Sequence, residues 1–112
     1  MSDCVFCKIV RGEIPCAMVY EDDKVLAFDD IHPMAPVHVV IIPKNHIPTL
    51  MDIDTEKVDI MNNLIAAAQK VAQIKGIASG GFRTAINCNT RGDRWCFIYT
   101  FMFSEAENFR MN

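Results

Sequence analysis

Three histidines, His32, His38 and His46, and the pair Cys4-x-x-Cys7 are the side chains whose types and spacing first suggest chemistry. A Cys-x-x-Cys pair is half of a zinc knuckle or a dithiol redox pair. No second Cys-x-x-Cys follows, so alone it is a weak signal. His38 is the polar interruption of the apolar run Val37 to Ile42, although a lone histidine in a strand serves equally well as a hydrogen-bonded core group. Asp30 follows Leu26-Ala27-Phe28 and can present two carboxylate oxygens at a strand end, an acceptor pair that suits the hydroxyls of a ribose. Near Pro33 it is as readily a turn former. Asn87 closes another apolar run, where it either caps a turn or donates to a phosphate oxygen. Five cysteines, Cys4, Cys7, Cys16, Cys88 and Cys96, cannot all pair within the chain, and reduced thiols are expected.

The elements that must carry these groups follow from periodicity. Val5 to Val10 running into Gly12 predicts a helix of one or two turns. Ala17 to Tyr20 and Lys24 to Phe28 flank Glu21-Asp22-Asp23 and predict a β-hairpin. After a loop bracketed by Pro33 and Pro36, the β-branched run Val37 to Ile42 predicts a strand buried on at least one face and closed at Pro43. Asp54 is placed to cap a long helix whose apolar positions Val58, Met61, Leu64, Ile65, Ala68, Val71 and Ala72 recur at three- and four-residue spacing up to Gly76. Beyond the turn Ser79-Gly80-Gly81, Phe82 to Cys88 and Trp95 to Phe103 predict two more strands. Strands grouped before and after one long helix predict an α+β domain with an antiparallel sheet of about five strands, one long helix and one short one, spanning residues 1–112 as a single unit.

Composition narrows the function classes. The 112 residues are 51% hydrophobic and 22% charged, which is too apolar for disorder and the size of one domain. Fourteen acidic and eleven basic side chains, with a formal charge of −3 and no basic run, supply no electrostatic reason to gather on nucleic acid or an anionic membrane. The longest apolar runs, such as those over 39–43 and 95–98, fall short of a bilayer span. The start Met1-Ser2-Asp3-Cys4 lacks the form of a signal peptide, so a cytoplasmic location is expected.

Taken together, the segments Cys4 to Val10, Gly12-Glu13-Ile14-Pro15, Leu26 to Ile31, Ala35 to Ile47 and Arg83 to Asn87 closely resemble the histidine triad (HIT) family, in its Hint-like nucleoside phosphoramidase branch. The resemblance runs in order over residues 3 to 90. It implies a two-step nucleotidyl transfer that needs no metal. The middle histidine of a His-x-His-x-His strand attacks the α-phosphorus of a purine nucleoside phosphoramidate or adenylate, and water then releases the nucleotide. Three imidazoles at every second strand position share one face and so meet one phosphate.

This chain departs from the family at that motif, since no histidine follows His46. Counting from Asn87 with the family's spacing places the triad positions at Ile98, Thr100 and Met102, none of which is a nucleophile of the required kind. Thr100 without a base stays inert near neutral pH. The degenerate codons of residues 91–106, read one nucleotide earlier, give His or Tyr at the codons bridging Phe97 with Ile98, Tyr99 with Thr100 and Phe101 with Met102. The intervening codons are apolar, those upstream permit Gly-Gly-Gln-Val-Val-Phe, and those downstream permit Val-Phe-Gly-Gly-Arg. From about Arg91 onward the chain therefore reads as a frameshifted rendering of the family motif, through a misread base or a mutation. As written it is expected to bind nucleotide weakly and not to turn over, the alternative to an active enzyme being a nucleotide-binding or dimeric interaction protein without a triad.

Residue by residue, the resemblance implies a purine slot formed by Val5, Phe6, Ile9, Phe28 and Ile31. It implies Asp30 on the ribose hydroxyls, Asn87 on the α-phosphate, and His38 beside the triad as an orienting imidazole. Some members of the wider family bind zinc through residues matching Cys4, Cys7 and His46 together with the first triad histidine. Here that fourth position is Ile98, leaving an open three-ligand site or, alternatively, two free thiols. A homodimer is implied as well, with the long helix and one strand packing on their twofold mates.

Overall fold

Glycines in the left-handed region close both helices. In the computed structural model, which describes residues 5–31, 36–47, 50–56, 59–87 and 99–104 (for Asn87, and for 99–104 apart from Met102, the backbone alone), the short helix α1 spans Val5–Val10. It ends at Gly12, whose φ is 82°. The amide of Glu13 returns to the Lys8 carbonyl at 2.8 Å and that of Gly12 to Ile9 at 3.0 Å, satisfying carbonyls the helix would otherwise leave open. Four of these six residues, Val5, Phe6, Ile9 and Val10, are β-branched or aromatic and poor helix formers, so tertiary contact must hold α1. Phe6, with no exposed surface, supplies it.

The hairpin strands β1 (Met18–Glu21) and β2 (Val25–Asp29) turn around Asp22. Its Oδ1 accepts the amides of Lys24 at 2.8 Å and Val25 at 3.0 Å, and its Oδ2 accepts the Tyr20 hydroxyl at 2.8 Å. Strand β3 is Val37–Pro43, and a single 3-10 turn, Leu50–Asp52, leads toward the long helix. That helix, α2, is Asp59–Lys75. Asp54 Oδ1 accepts the Glu56 amide at 2.9 Å in a turn before the helix; residues 57 and 58, between that turn and Asp59, lie outside the described residues. Gly76, at φ 73°, ends α2 as Gly12 ends α1. The amide of Ile77 reaches the Ala72 carbonyl at 2.9 Å, and both side chains are buried in the same cluster.

Strands β4 (Arg83–Asn87) and β5 (Tyr99–Ser104) complete one five-stranded sheet of order β1-β2-β3-β5-β4, with every pairing antiparallel. The α+β expectation and the sequence of elements hold. Strands β2 and β3 are covered on both faces, which explains their continuous apolar runs. Val25, Ala27, Val39 and Ile41 face α2 and pack with Leu64, Ala67, Val71 and Met102. Leu26, Phe28, Val40 and Ile42 face the other way and pack with Phe6 of α1. Among the described residues, no helix is long and apolar enough to cross a membrane.

Candidate functional site

The α1 face of the sheet gathers most of the side chains singled out above. Phe6 and Phe28 meet edge to face, with ring centroids 6.4 Å apart and planes at 64°. Both are buried, so they form a floor and not open walls. Val5 and Ile9 of α1 pack at its margin, half-exposed, and Ile31, just past β2, is 82% exposed. An apolar floor flanked by Val5 and Ile9 can take the flat face of an aromatic base.

Asp30 and His38 stand at the edge of this floor because they continue the β2–β3 ladder by one step. Asp29 pairs with Val39, and beyond it the amide of Asp30 donates to the His38 carbonyl at 3.0 Å. Strand alternation then puts both side chains on the face of Phe28 and Val40. His38 Nε2 lies 3.4 Å from Asp30 Oδ2, an electrostatic contact longer than a tight hydrogen bond, with the imidazole side chain 5% and the carboxylate 20% exposed. A half-sheltered carboxylate at the margin of an apolar floor is placed to accept from two neighbouring hydroxyls. The neighbouring Asp29 points elsewhere, its Oδ1 2.8 Å from Lys75 Nζ at the end of α2.

Cys7 and His46 are brought together across thirty-nine positions of sequence, Sγ to Nδ1 at 3.2 Å. Such a pair fits two corners of a tetrahedral zinc site, whose ligand atoms sit about 2.0–2.3 Å from the metal. Cys4 and Ile98 lie outside the described residues, and among the described ones no group of three ligating side chains forms. Cys7 and Cys16 are both free thiols. Burial pushes the Cys16 thiol above its ordinary pKa, with Glu21 adding to the shift, which makes it the less reactive kind of cysteine.

The triad positions separate from this face. Met102 has no exposed surface and belongs to the α2-side cluster with Val39 and Ile41. The register agrees, pairing Met102 with Val39 and Thr100 with Ile41, while Phe103 lies opposite His38. Residues 100 and 102 thus share the parity of the α2 face. The physical reason is that a long apolar side chain at 102 is driven into the core, as strand alternation allows. Ile98 and His32 lie outside the described residues. Asn87 ends β4 opposite Tyr99, and only its backbone is described.

A second apolar feature lies between α2 and β4. Ile65, one of the apolar positions of the long helix, is 56% exposed and lines a groove of about 320 Å³ with Met61, Leu64, Ala68, Thr84 and Ile86. Strand β4 is an edge of the sheet, with β5 on one side only. The signal that could have found it is the width of the apolar stripe, broader than one sheet face needs.

Comparison with known proteins bears on the same residues. Residues 3–90 match the family described as "Scavenger mRNA decapping enzyme C-term binding". The chain is 44% identical over 91 residues to the purine nucleoside phosphoramidase of Escherichia coli K12, covering 81% of this chain and 76% of that protein. Among solved structures it resembles a histidine triad protein from Clostridium difficile, with a TM-score of 0.89, 37% identity and coverage of 100% of this chain and 98% of that one. It also resembles a HIT family hydrolase from Clostridium thermocellum, with a TM-score of 0.89, 38% identity and coverage of 99% and 97%. Sequence matches and whole-chain structural likeness converge, and they make this chain a member of the histidine triad family.

Proposed function

We propose that the chain is a purine nucleotide-binding HIT protein, descended from enzymes that cleave nucleoside phosphoramidates or adenylates at the α-phosphorus through a nucleotidyl-histidine, and that as written it binds the nucleoside monophosphate without turning a substrate over. The observation that carries this reading is the placement of Asp30 at the rim of the Phe6–Phe28 floor on the α1 face. The base lies over that floor between Val5, Ile9 and Ile31, Asp30 accepts the ribose hydroxyls, and Asn87 meets the phosphate. The name of the Escherichia coli relative supports the purine and phosphoramidate chemistry. Turnover fails for a chemical reason. The lineage's reaction needs a nucleophilic imidazole on β5, and the chain's histidines are all at or before position 46.

The rest of the reading concerns assembly and metal. The chain forms a single domain and works in the cytoplasm without a required cofactor. It forms a homodimer through the α2–β4 groove, where an apolar surface beside an exposed sheet edge suits a twofold mate. Cys7 and His46, with Cys4, hold zinc in an open three-ligand site if a metal is present. The deciding experiment pairs calorimetric titration with adenosine 5′-monophosphate and a hydrolysis assay on adenosine 5′-phosphoramidate. Binding without turnover is expected. Multiple turnovers would show an active enzyme, and absence of binding would remove the nucleotide reading.

A further inference from the structure

We infer that His38 is a positioning residue for Asp30, and that through it the site selects ligands with a free vicinal diol over their deoxy counterparts. The inference rests on the nucleotide-binding reading above and assigns the source of its sugar specificity. A carboxylate on a flexible strand end rotates about its terminal bond, and two hydroxyls that donate to it together require one plane of the group. In this chain that plane is set from the neighbouring strand. His38 Nε2 lies 3.4 Å from Asp30 Oδ2, and the backbones of the same two residues are joined by a 3.0 Å hydrogen bond, so the fold keeps ring and carboxylate side by side.

The surroundings make the imidazole the fixed member of the pair. His38 is 6% exposed and shares its face with Val40 and Phe28, which are buried against Phe6. The ring is therefore held by packing, whereas the Asp30 side chain is the more exposed of the two. A buried donor aimed at a rim carboxylate orders it before the ligand arrives. The ligand then does not meet the full ordering cost of that side chain, which elsewhere weakens binding by about two- to tenfold. The benefit is greatest for ligands that use both hydroxyls, because these require one plane of the carboxylate, so it appears chiefly as discrimination.

Adenosine 5′-monophosphate and 2′-deoxyadenosine 5′-monophosphate, titrated calorimetrically into the full chain, read that discrimination directly. The unsubstituted chain is expected to prefer the ribonucleotide by about tenfold or more, the size of a hydrogen bond to a charged group. In His38→Leu the preference should fall by about two- to tenfold, the ribonucleotide losing more affinity than the deoxynucleotide. His38→Gln, whose amide can donate to the carboxylate, should recover part of it. Asp30→Asn should lose the preference, and adding His38→Leu to it should cost nothing further. Equal losses for both ligands in His38→Leu, or an unchanged preference, would overturn the inference while leaving nucleotide binding in place. A chain that binds neither ligand would overturn the parent reading and the inference with it. Long-range proton–nitrogen NMR of the unsubstituted protein supplies a test independent of the variants' folding. The His38 ring must carry a proton on Nε2, and an unprotonated Nε2 near neutral pH would refute the assignment.

Discussion

Met102→His distinguishes the strand register seen here from the one that a histidine triad would need. Met102 has no exposed surface and packs among Val39, Ile41, Leu64 and Val71. Replacing its thioether with imidazole removes apolar burial worth about 1.5–3 kcal/mol. It also places a polar ring in that cluster, and a buried unsatisfied group costs about 1–3 kcal/mol more. The expected loss is about 3–5 kcal/mol, a large part of the roughly 5–15 kcal/mol that holds a domain of this size. Met102→Leu, which keeps the volume and polarity, should cost under about 1.5 kcal/mol. Urea unfolding followed by circular dichroism at neutral pH measures both, with the midpoint falling and the slope unchanged. A loss below about 1 kcal/mol for Met102→His would contradict the reasoning, since a cost that small is ordinary for an uncritical site. So would a stable, hydrolytically active chain carrying histidine at 98, 100 and 102. Either would mean that residue 102 reaches the His38 face.

Four further outcomes are expected. Desolvation raises the Asp22 carboxyl, but the amides of Lys24 and Val25 and the Tyr20 hydroxyl outweigh it and hold the group below its ordinary pKa. Asp22→Ala should therefore cost about 1 kcal/mol at neutral pH, a modest value for an exposed turn, and in urea melts the gap from the unsubstituted chain should close as pH falls below about 4. Ile86→Asp should convert a dimer to a monomer in sedimentation, and a monomeric unsubstituted chain at micromolar concentration would refute the dimer. Reduced protein dialysed at neutral pH should retain zinc, and lose it in Cys7→Ser and His46→Ala; an unsubstituted chain without zinc ends the metal reading. Tandem mass spectrometry of the peptide from Trp95 to Arg110 should return the sequence as printed, whereas a histidine-rich peptide in its place restores the triad and the enzyme.

What the sequence made legible depended on how local the physics was. The short helix, hairpin, long helix and five strands were readable because each follows from periodicity and from glycines at the helix ends, here Gly12 and Gly76. Asp54 does bond a nearby amide, that of Glu56, as an Asx turn and a helix start both require. Helical spacing placed Ile65 on the apolar stripe but could not say that it would stand 56% exposed, because spacing reports a stripe and not where burial stops. Phe6 and Phe28 are buried against each other, a depth that depends on how closely α1 approaches the sheet and that no local pattern reports. The faces of β5 depend on a register chosen by two neighbouring strands jointly, which no local pattern contains. The Cys7–His46 and Asp30–His38 proximities are products of the fold, although the family resemblance had already grouped their members.

The position of β5 bears on the order in which the chain assembles. Strands β1 to β3 form a meander of neighbours in sequence and can close early on short loops. Strand β5 enters between β3 and β4, pairing Val37 with Ser104 across most of the chain, and β4 is joined to the sheet only through it. During synthesis all the residues of the apolar floor on the α1 face precede β4, which still waits for its partner, and closing the chain over that distance costs loop entropy. Until that strand arrives, β3 presents an open edge that is apolar apart from His38, an invitation to pair with another chain. Once β5 pairs along Val37 to Ile41, that edge is covered and the hazard ends.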